Sequence, residues 1–427
     1  MQYAFVLGRV YTLSLAELFS YFKTHQIDIA VVDASPEVLV VEVEQQLDVQ
    51  KIQRDLGGVV KILRIVDVVK KRETDSINFS LQNYFKPSKL KTDFLKNYKG
   101  KIQFGVSIYL LESTVKAFGE PKKLGMFIKR SMQDGGSSIR LVIPEFNSLA
   151  LASVLVTKNS LLEKGAEICV LASNTQVYVA KTLVVQDFED YGRRDYQRPV
   201  RDDKQGMIPP KVAQLMLNFA ECKPTATMLD PFAGIGTIVQ EGVLLDYKML
   251  GSDINAGAIA GSEKNLEWFR NRYKISKGKF HVEVSDAREV SVLVENLQKI
   301  GAFKNISGVV TEGYLGPMYT KFPTQPEIDK NFKDLEELYT TAFKDWLKFL
   351  SKGDKVVICF PAYKHFNEYT SFPTLDFITT LGYNTIDLIP SILVESMPFL
   401  KLTARKTAIY DRKDQIVARE IVIFEKQ

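Results

Sequence analysis

Cysteine and histidine are scarce, with three of each in 427 residues. Cys169, Cys222 and Cys359 are odd in number, far apart and in no metal-ligand spacing. That argues against a disulfide framework and a zinc site, and three buried thiols are expected instead. His25, His281 and His365 give imidazole-based acid/base or metal chemistry little to work with, so no metal is expected. No uncharged apolar run reaches membrane-spanning length, and Met1-Gln-Tyr-Ala-Phe5 lacks the basic head of a signal peptide. No membrane is expected as a partner, and the cytoplasm is the expected compartment. Repeats and low-complexity tracts are missing too. The net charge of +5 is too small to point to nucleic acid by itself, so such a partner has to be read from local clustering.

What is present is the composition of a folded protein, 45% hydrophobic and 25% charged, at a length that calls for two or three domains. Thr227–Leu245 carries the most information: a short apolar strand, a glycine turn and an amphipathic helix, the opening of a nucleotide-binding βαβ unit. The strand is expected to end at Asp230. Gly234 and Gly236 let the backbone approach a ligand, and Thr237 starts a helix whose free N–H groups face the same crevice. Tyr247–Asp253 reads as a second strand whose terminal acid can hydrogen-bond ribose hydroxyls. His281–Ala287 reads as a third, ending in Asp286, which either accepts an adenine amino group or caps a helix starting at Arg288. The third glycine of a dinucleotide site is missing, and Asp230 would repel a pyrophosphate but attract a cation. S-adenosylmethionine, with its sulfonium, ammonium and ribose, suits such a pocket.

Asp230-Pro-Phe-Ala-Gly-Ile-Gly-Thr-Ile238, Gly251-Ser-Asp-Ile254 and the preceding Arg201-Asp-Asp-Lys-Gln-Gly-Met-Ile-Pro-Pro210 are similar to motifs of class I methyltransferases. Specifically, the chain resembles the THUMP-containing tRNA guanine-N2 methyltransferases that act on the guanosine at position 10, over the stretch from Asp187 to Phe269. The resemblance implies an α/β protein: a Rossmann-like seven-stranded methyltransferase domain with one reversed edge strand, preceded by an α/β region that includes a THUMP-like domain. It implies S-adenosylmethionine as cofactor, held by Asp230, Phe232, Gly234, Gly236, Thr237, Asp253, Ile254, Asp286 and Ala287, with Met207, Ile208 and Pro209 over its methionine end. tRNA is the implied partner, and the need for a small activator subunit stays open.

The fourth strand, Ile306–Pro317, falls where amino-methyltransferases carry Asp/Asn-Pro-Pro-Tyr/Phe, whose first side chain and a following carbonyl hold the target amine while the ring stacks on the base. Here Thr311-Glu-Gly-Tyr314 keeps an acid, a small residue and an aromatic, but is one residue short and lacks the prolines. Glu312 is the favoured acceptor and Tyr314 the stacking ring, with a carbonyl from Gly313. An alignment without the gap puts Thr311, a weaker acceptor, in the first position. The later set Phe360, Tyr363, Phe366 and Tyr369 reads as packing.

Towards the amino terminus, residues 1–72 alternate strand-like runs (Ala4–Leu7, Ile29–Val32, Val38–Val41) with helical stretches, a small ferredoxin-like α/β domain. Residues 73–186 are expected to form the THUMP-like domain, 187–205 a charge-dense linker and 206–427 the methyltransferase domain. Two lysine clusters stand in residues 73–186. Lys86, Lys89 and Lys91 are interleaved with Phe94 and Tyr98, and Lys122, Lys123, Lys129 and Arg130 lie on a helix. Each cluster alone is as readily a solvated face, but two ahead of a nucleotide-binding domain favour phosphate contact. Linker arginines either pair with Asp195 and Asp202 or reach phosphates. Two other readings remain at this level: a DNA N6-adenine methyltransferase, and a catalytically inactive tRNA-binding protein that retains the pocket.

Overall fold

A computed structural model describes residues 1–95, 101–117, 119–201, 207–366, 368–412 and 415–427. Tyr98 and the Asp202–Gly206 portion of the quoted motif lie outside the described residues. The strands among the rest make two sheets. The first holds β1 (Gln2–Leu7), β2 (Ala30–Ala34), β3 (Val38–Glu42), β4 (Val59–Lys70), β5 (Ile102–Leu110), β6 (Ile139–Val142), β7 (Gly165–Ala172) and β8 (Gln176–Val185). Their order is β2-β3-β1-β4-β8-β7-β5-β6.

β1 to β4, with helices Tyr11–Thr24 and Val49–Asp55 between them, form a βαββαβ unit of antiparallel neighbours. β4 pairs with β8 from Lys61 to Lys70, so residues 1–72 and 73–186 share one continuous sheet. The sequence does not announce β4, because Lys61, Arg64 and Asp67 interrupt its alternation and two bulges shift its register. Lys61 is buried where Glu167 of β7 accepts its ammonium.

The second sheet holds β9 (Thr227–Asp230), β10 (Lys248–Asp253), β11 (Phe280–Val284), β12 (Ile306–Thr311), β13 (Lys355–His365), β14 (Glu368–Ser371), β15 (Tyr383–Ile386), β16 (Ala408–Tyr410) and β17 (Val417–Lys426). The main path is β11-β10-β9-β12-β13-β17-β15, with β14 on β13 and β16 on β17. β9 to β13 run parallel, and the order reverses between β9 and β12, which opens a crevice at their carboxyl ends. The reversed strand is not at the edge, as the sequence suggested. β17 lies between β13 and β15, antiparallel to both, and its run Ile421-Val-Ile-Phe424 is buried as an interior strand requires. Past Pro373, a single short helix spans Asp376–Thr379. Cys169, Cys222 and Cys359 are free thiols and buried. Among the described residues no helix is long and apolar enough to cross a membrane.

The amino-terminal sheet is fastened to the second one through helix Tyr11–Thr24, which packs on helix Pro210–Phe219 in a shared apolar core. At its centre the fully buried carboxylate of Glu17 accepts from the backbone N–H of Gly57 and of Gly58, both at 2.8 Å, and from the Asn218 amide at 2.8 Å. Asn218 also donates to the Asp55 carbonyl at 2.9 Å. Burial raises the Glu17 pKa to about 7 against the lowering effect of these donors. A second fastening joins the Tyr11 hydroxyl to the Phe399 carbonyl at 3.0 Å and the Lys401 N–H to the Thr12 hydroxyl at 3.0 Å.

Glu17→Ala leaves the buried Gly57 and Gly58 N–H groups without an acceptor and the Asn218 amide with the Asp55 carbonyl alone. The expected loss is about 2–4 kcal/mol, read as a lower urea midpoint. Because the Glu17 pKa is raised on folding, its protonation contributes stability below its unfolded value, and this contribution is lost as pH rises through about 7. The variant's deficit should therefore shrink between pH 5 and pH 8.

Candidate active site

Asp230, the last residue of β9, points its buried carboxylate into the crevice, where it accepts from the Phe232 N–H at 3.2 Å and from the Thr311 hydroxyl. Burial raises its pKa to about 7, and Asp253 and Glu312 add to the rise by repulsion, so three acids share one electrostatic neighbourhood. Gly236 takes a left-handed φ of 86°, and a Cβ there would meet the Ser262 hydroxyl oxygen at 2.5 Å. Only glycine makes this turn, and it starts helix Thr237–Leu244 at the crevice. The Gly234 N–H donates to Asp253 at 2.9 Å and the Asn255 N–H to its other oxygen at 2.9 Å, which aims the carboxylate back across the turn.

The remaining expected cofactor residues divide. Ile208 is buried, and Pro209 precedes helix Pro210–Phe219. Phe232 sets its ring edge-on to Tyr339 at 6.1 Å. Ile254 is 66% exposed just beyond Asp253. Ala287 is buried and its carbonyl accepts from the Trp346 indole at 2.9 Å. Asp286 lies past the end of β11 and is already engaged. It accepts from the Arg288 backbone N–H at 2.9 Å and from the Arg288 guanidinium at 3.0 Å, which lowers its pKa. It does not directly precede the next helix, which begins at Val290.

Sequence reasoning missed Arg198. Its guanidinium is buried and donates to the Thr237 hydroxyl at 2.7 Å and to the Met207 sulfur at 2.9 Å, while its Nε has no partner among the described residues. A buried cation beside the positive end of a helix is unfavourable alone, and desolvation lowers its pKa. A carboxylate brought to Met207 and Thr237 would relieve it. The site therefore fits S-adenosylmethionine on both counts, with an anion receptor at Arg198 for the methionine carboxylate and acids at Asp230 and Asp253 for the sulfonium and ribose.

The β12 loop is the second half of the site. Thr311 is buried and turned to Asp230, so it does not face outward as an acceptor. Glu312 is paired with the Arg419 guanidinium of β17, a partner that sequence reasoning also missed. The one available signal was a charged pair, Arg419-Glu420, buried in an apolar strand. Gly313 has a φ of 71°, and a Cβ there would meet the Tyr339 hydroxyl at 2.5 Å. That hydroxyl donates to the Tyr314 carbonyl at 2.6 Å, leaving the Tyr314 ring half exposed at the crevice mouth. Asn331 donates to the Leu315 carbonyl at 3.2 Å and completes the hold on the loop.

The lysines expected to meet RNA sit elsewhere, on the first sheet's flank. Helices Pro87–Asp93 and Glu120–Asp134 bury Leu90, Leu124, Ile128 and Met132 in one core and place both clusters on one side of the molecule. Lys86, Lys91, Lys122, Lys123 and Arg130 are exposed, and Lys129 is half-buried. Lys89 pairs with Asp67 at 2.8 Å over the Tyr84 ring, and Lys123 with Glu120 at 3.4 Å. Phe94 is core, not a surface ring. In the stretch expected as a linker, Phe188–Tyr196 is a helix whose Arg194 is buried against Glu241 at 2.8 Å and also pairs with Asp190.

The parallel sheet with an inserted reversed strand and a nucleoside crevice at its switch point is the class I, Rossmann-like methyltransferase fold. Residues 198–297 match the family model described as UPF0020: RMKL-like, methyltransferase domain. The chain is similar to the tRNA (guanine(10)-N2)-dimethyltransferase of Pyrococcus abyssi, 26% identical over 45% of this chain and 46% of that protein. The protein of the same description from Methanocaldococcus jannaschii is 28% identical over 44% of this chain and 48% of its own length. The chain thus spans about half the length of the curated relatives it matches. The crystal structure of TrmN from Thermus thermophilus superposes with a TM-score of 0.54 at 11% identity, covering 100% of both chains, and so shares the fold.

A cationic ligand beside Asp230 favours its ionised form, so binding below the carboxyl's pKa of about 7 expels a proton. Calorimetry should find S-adenosylmethionine bound about tenfold more weakly at pH 6 than at pH 8. Asp230→Asn should flatten that dependence while lowering affinity throughout.

Proposed function

We propose that the protein is a cytoplasmic S-adenosylmethionine-dependent methyltransferase that methylates the exocyclic N2 of a guanosine in tRNA. The observation that carries this reading is the convergence, at one sheet edge, of Asp230, Asp253 and Arg198 with the Glu312–Tyr314 loop. The bound cofactor supplies a methyl group on a positively charged sulfur. The protein's share is orientation and exclusion of water.

In this reading the Tyr314 ring stacks on the flipped guanine. Glu312, held in one rotamer by Arg419, uses its remaining lone pairs to accept from the target amine, and the Gly313 carbonyl assists. That contact aims the nitrogen lone pair at the cofactor side of the crevice, and the alkylated amine then loses its proton readily. Residues 73–186 act as a THUMP-like tRNA-binding part, with Lys86, Lys89, Lys91, Lys122, Lys123, Lys129 and Arg130 contacting phosphates and 206–427 performing transfer. The tRNA (guanine(10)-N2)-dimethyltransferase activity of the similar Pyrococcus abyssi and Methanocaldococcus jannaschii proteins supports this substrate.

Nucleosides from tRNA incubated with protein and cofactor should gain N2-methylguanosine by mass spectrometry. Tyr314→Ala should cut kcat/KM by about 10- to 100-fold through lost stacking. Unchanged N2-methylguanosine despite intact cofactor binding would reject the reading, and labelled methyl in duplex DNA but not tRNA would replace it with an N6-adenine enzyme.

A further inference from the structure

The hairpin β13–β14 projects beyond the sheet, and its tip carries Phe366, which is 84% exposed although it is a large apolar ring. The sequence suggested that Phe360, Tyr363, Phe366 and Tyr369 all pack. Phe360 and Tyr363 do, but Phe366 and the outer part of Tyr369 face solvent. Phe366 also holds a φ of 54°, an uncommon conformation for a bulky side chain.

Phe366 is not alone. Its ring stands edge-on to His365 at 4.6 Å with planes 61° apart, and His365 meets Phe322 at 4.8 Å with planes 38° apart, so the three rings form one contiguous cluster. All three are exposed. Phe322 belongs to the connection that also carries Tyr314, between β12 and helix Gln325–Trp346. That connection is fixed to the hairpin's base: Asn331 bonds both the Leu315 carbonyl and, at 2.6 Å, the Tyr363 hydroxyl, while Tyr319 lies edge-on to Tyr363 at 5.9 Å. The ring cluster and the Tyr314 ring thus stand on one braced surface. Lys321 is exposed beside Phe322, Lys364 is paired with Asp411, and the exposed Glu368 lies across the hairpin from His365, so Lys321 is the unpaired cation beside the rings among the described residues.

We propose that Phe322, His365 and Phe366 form a stacking platform for an unpaired nucleobase that neighbours the target in the RNA strand. The proposal rests on the RNA methyltransferase reading and extends it from the flipped base to its flank. Every base has a π face, so such a cluster accepts a nucleotide without choosing its identity, and the exposed Lys321 suits the strand's phosphate. Pulling one base out of a stack exposes its neighbour, and a second stack on the protein recovers part of that cost.

The test is fluorescence anisotropy with a labelled unmodified tRNA transcript and a labelled single-stranded oligouridine, on wild type, Phe366→Ala, Phe366→Leu and Phe366→Trp. Phe366→Ala should weaken both RNAs by about tenfold, Phe366→Trp should bind as wild type, and Phe366→Leu should resemble the alanine variant. An unchanged melting midpoint is expected, since the ring touches little of the core. Rescue by leucine equal to that by tryptophan would mean apolar contact without ring stacking and overturn the platform. A wild type that methylates tRNA while Phe366→Ala binds it equally well also overturns the platform and leaves the tRNA reading standing. A wild type with no affinity for either RNA overturns both.

Discussion

Parallel strands deliver all their carboxyl ends to one edge, and in this chain β9, β10 and β12 each bring an acid there or just beyond. Crowded negative charge in a partly dry crevice is costly, and the surrounding structure accommodates it acid by acid. Asp230 is buried deep enough to stay protonated up to about pH 7 and hydrogen-bonds Thr311. Asp253 takes two backbone N–H groups, and Glu312 is given Arg419. Asp286, farther along, is neutralised by its neighbour Arg288. What remains is a cleft with acids on one side and, on the other, the buried Arg198 guanidinium, whose Nε has no hydrogen-bond partner among the described residues. A zwitterionic, sulfonium-bearing nucleoside has the matching charge pattern.

How much of this could be read beforehand depends on how far apart the partners lie in the chain. The strand, turn and helix from Thr227 to Leu244 are written in consecutive residues, so periodicity and glycine spacing disclose them. Asp230 and Asp253 follow because they end those strands. Arg419 lies 107 residues beyond Glu312, and Arg198 lies 39 residues before Thr237. Nothing local marks either as a partner, and only the closed sheet brings them together. β4 stayed hidden for a related reason, since Lys61 breaks an apolar run yet is inside because of Glu167 on β7. Phe366 erred in the other direction. An aromatic in a strand-like run reads as core, and the turn that carries it outward depends on a hairpin the sequence did not signal.

The Arg419–Glu312 pair also bears on what stiffens the β12 loop, which lacks the proline pair that the resemblance would place there. Prolines stiffen a loop through fixed φ angles. Here stiffness comes from outside: Arg419 on the carboxylate, Tyr339 on the Tyr314 carbonyl and Asn331 on the Leu315 carbonyl. A buried ion pair adds little net stability, yet losing one partner is expensive, so its main effect is to exclude other loop positions.

The double fastening of the amino-terminal sheet has a geometric consequence. Glu17 and Asn218 clamp it at one point, and Tyr11 and Thr12 clamp it to the 399–401 segment at another. Two attachment points remove the swivel that one would allow. In the proposed reading, an RNA held on the lysine-bearing flank would meet the crevice at a set span, so the protein would measure like a caliper and the choice of nucleotide would follow from its distance along the folded substrate, with little need to spell out neighbouring letters.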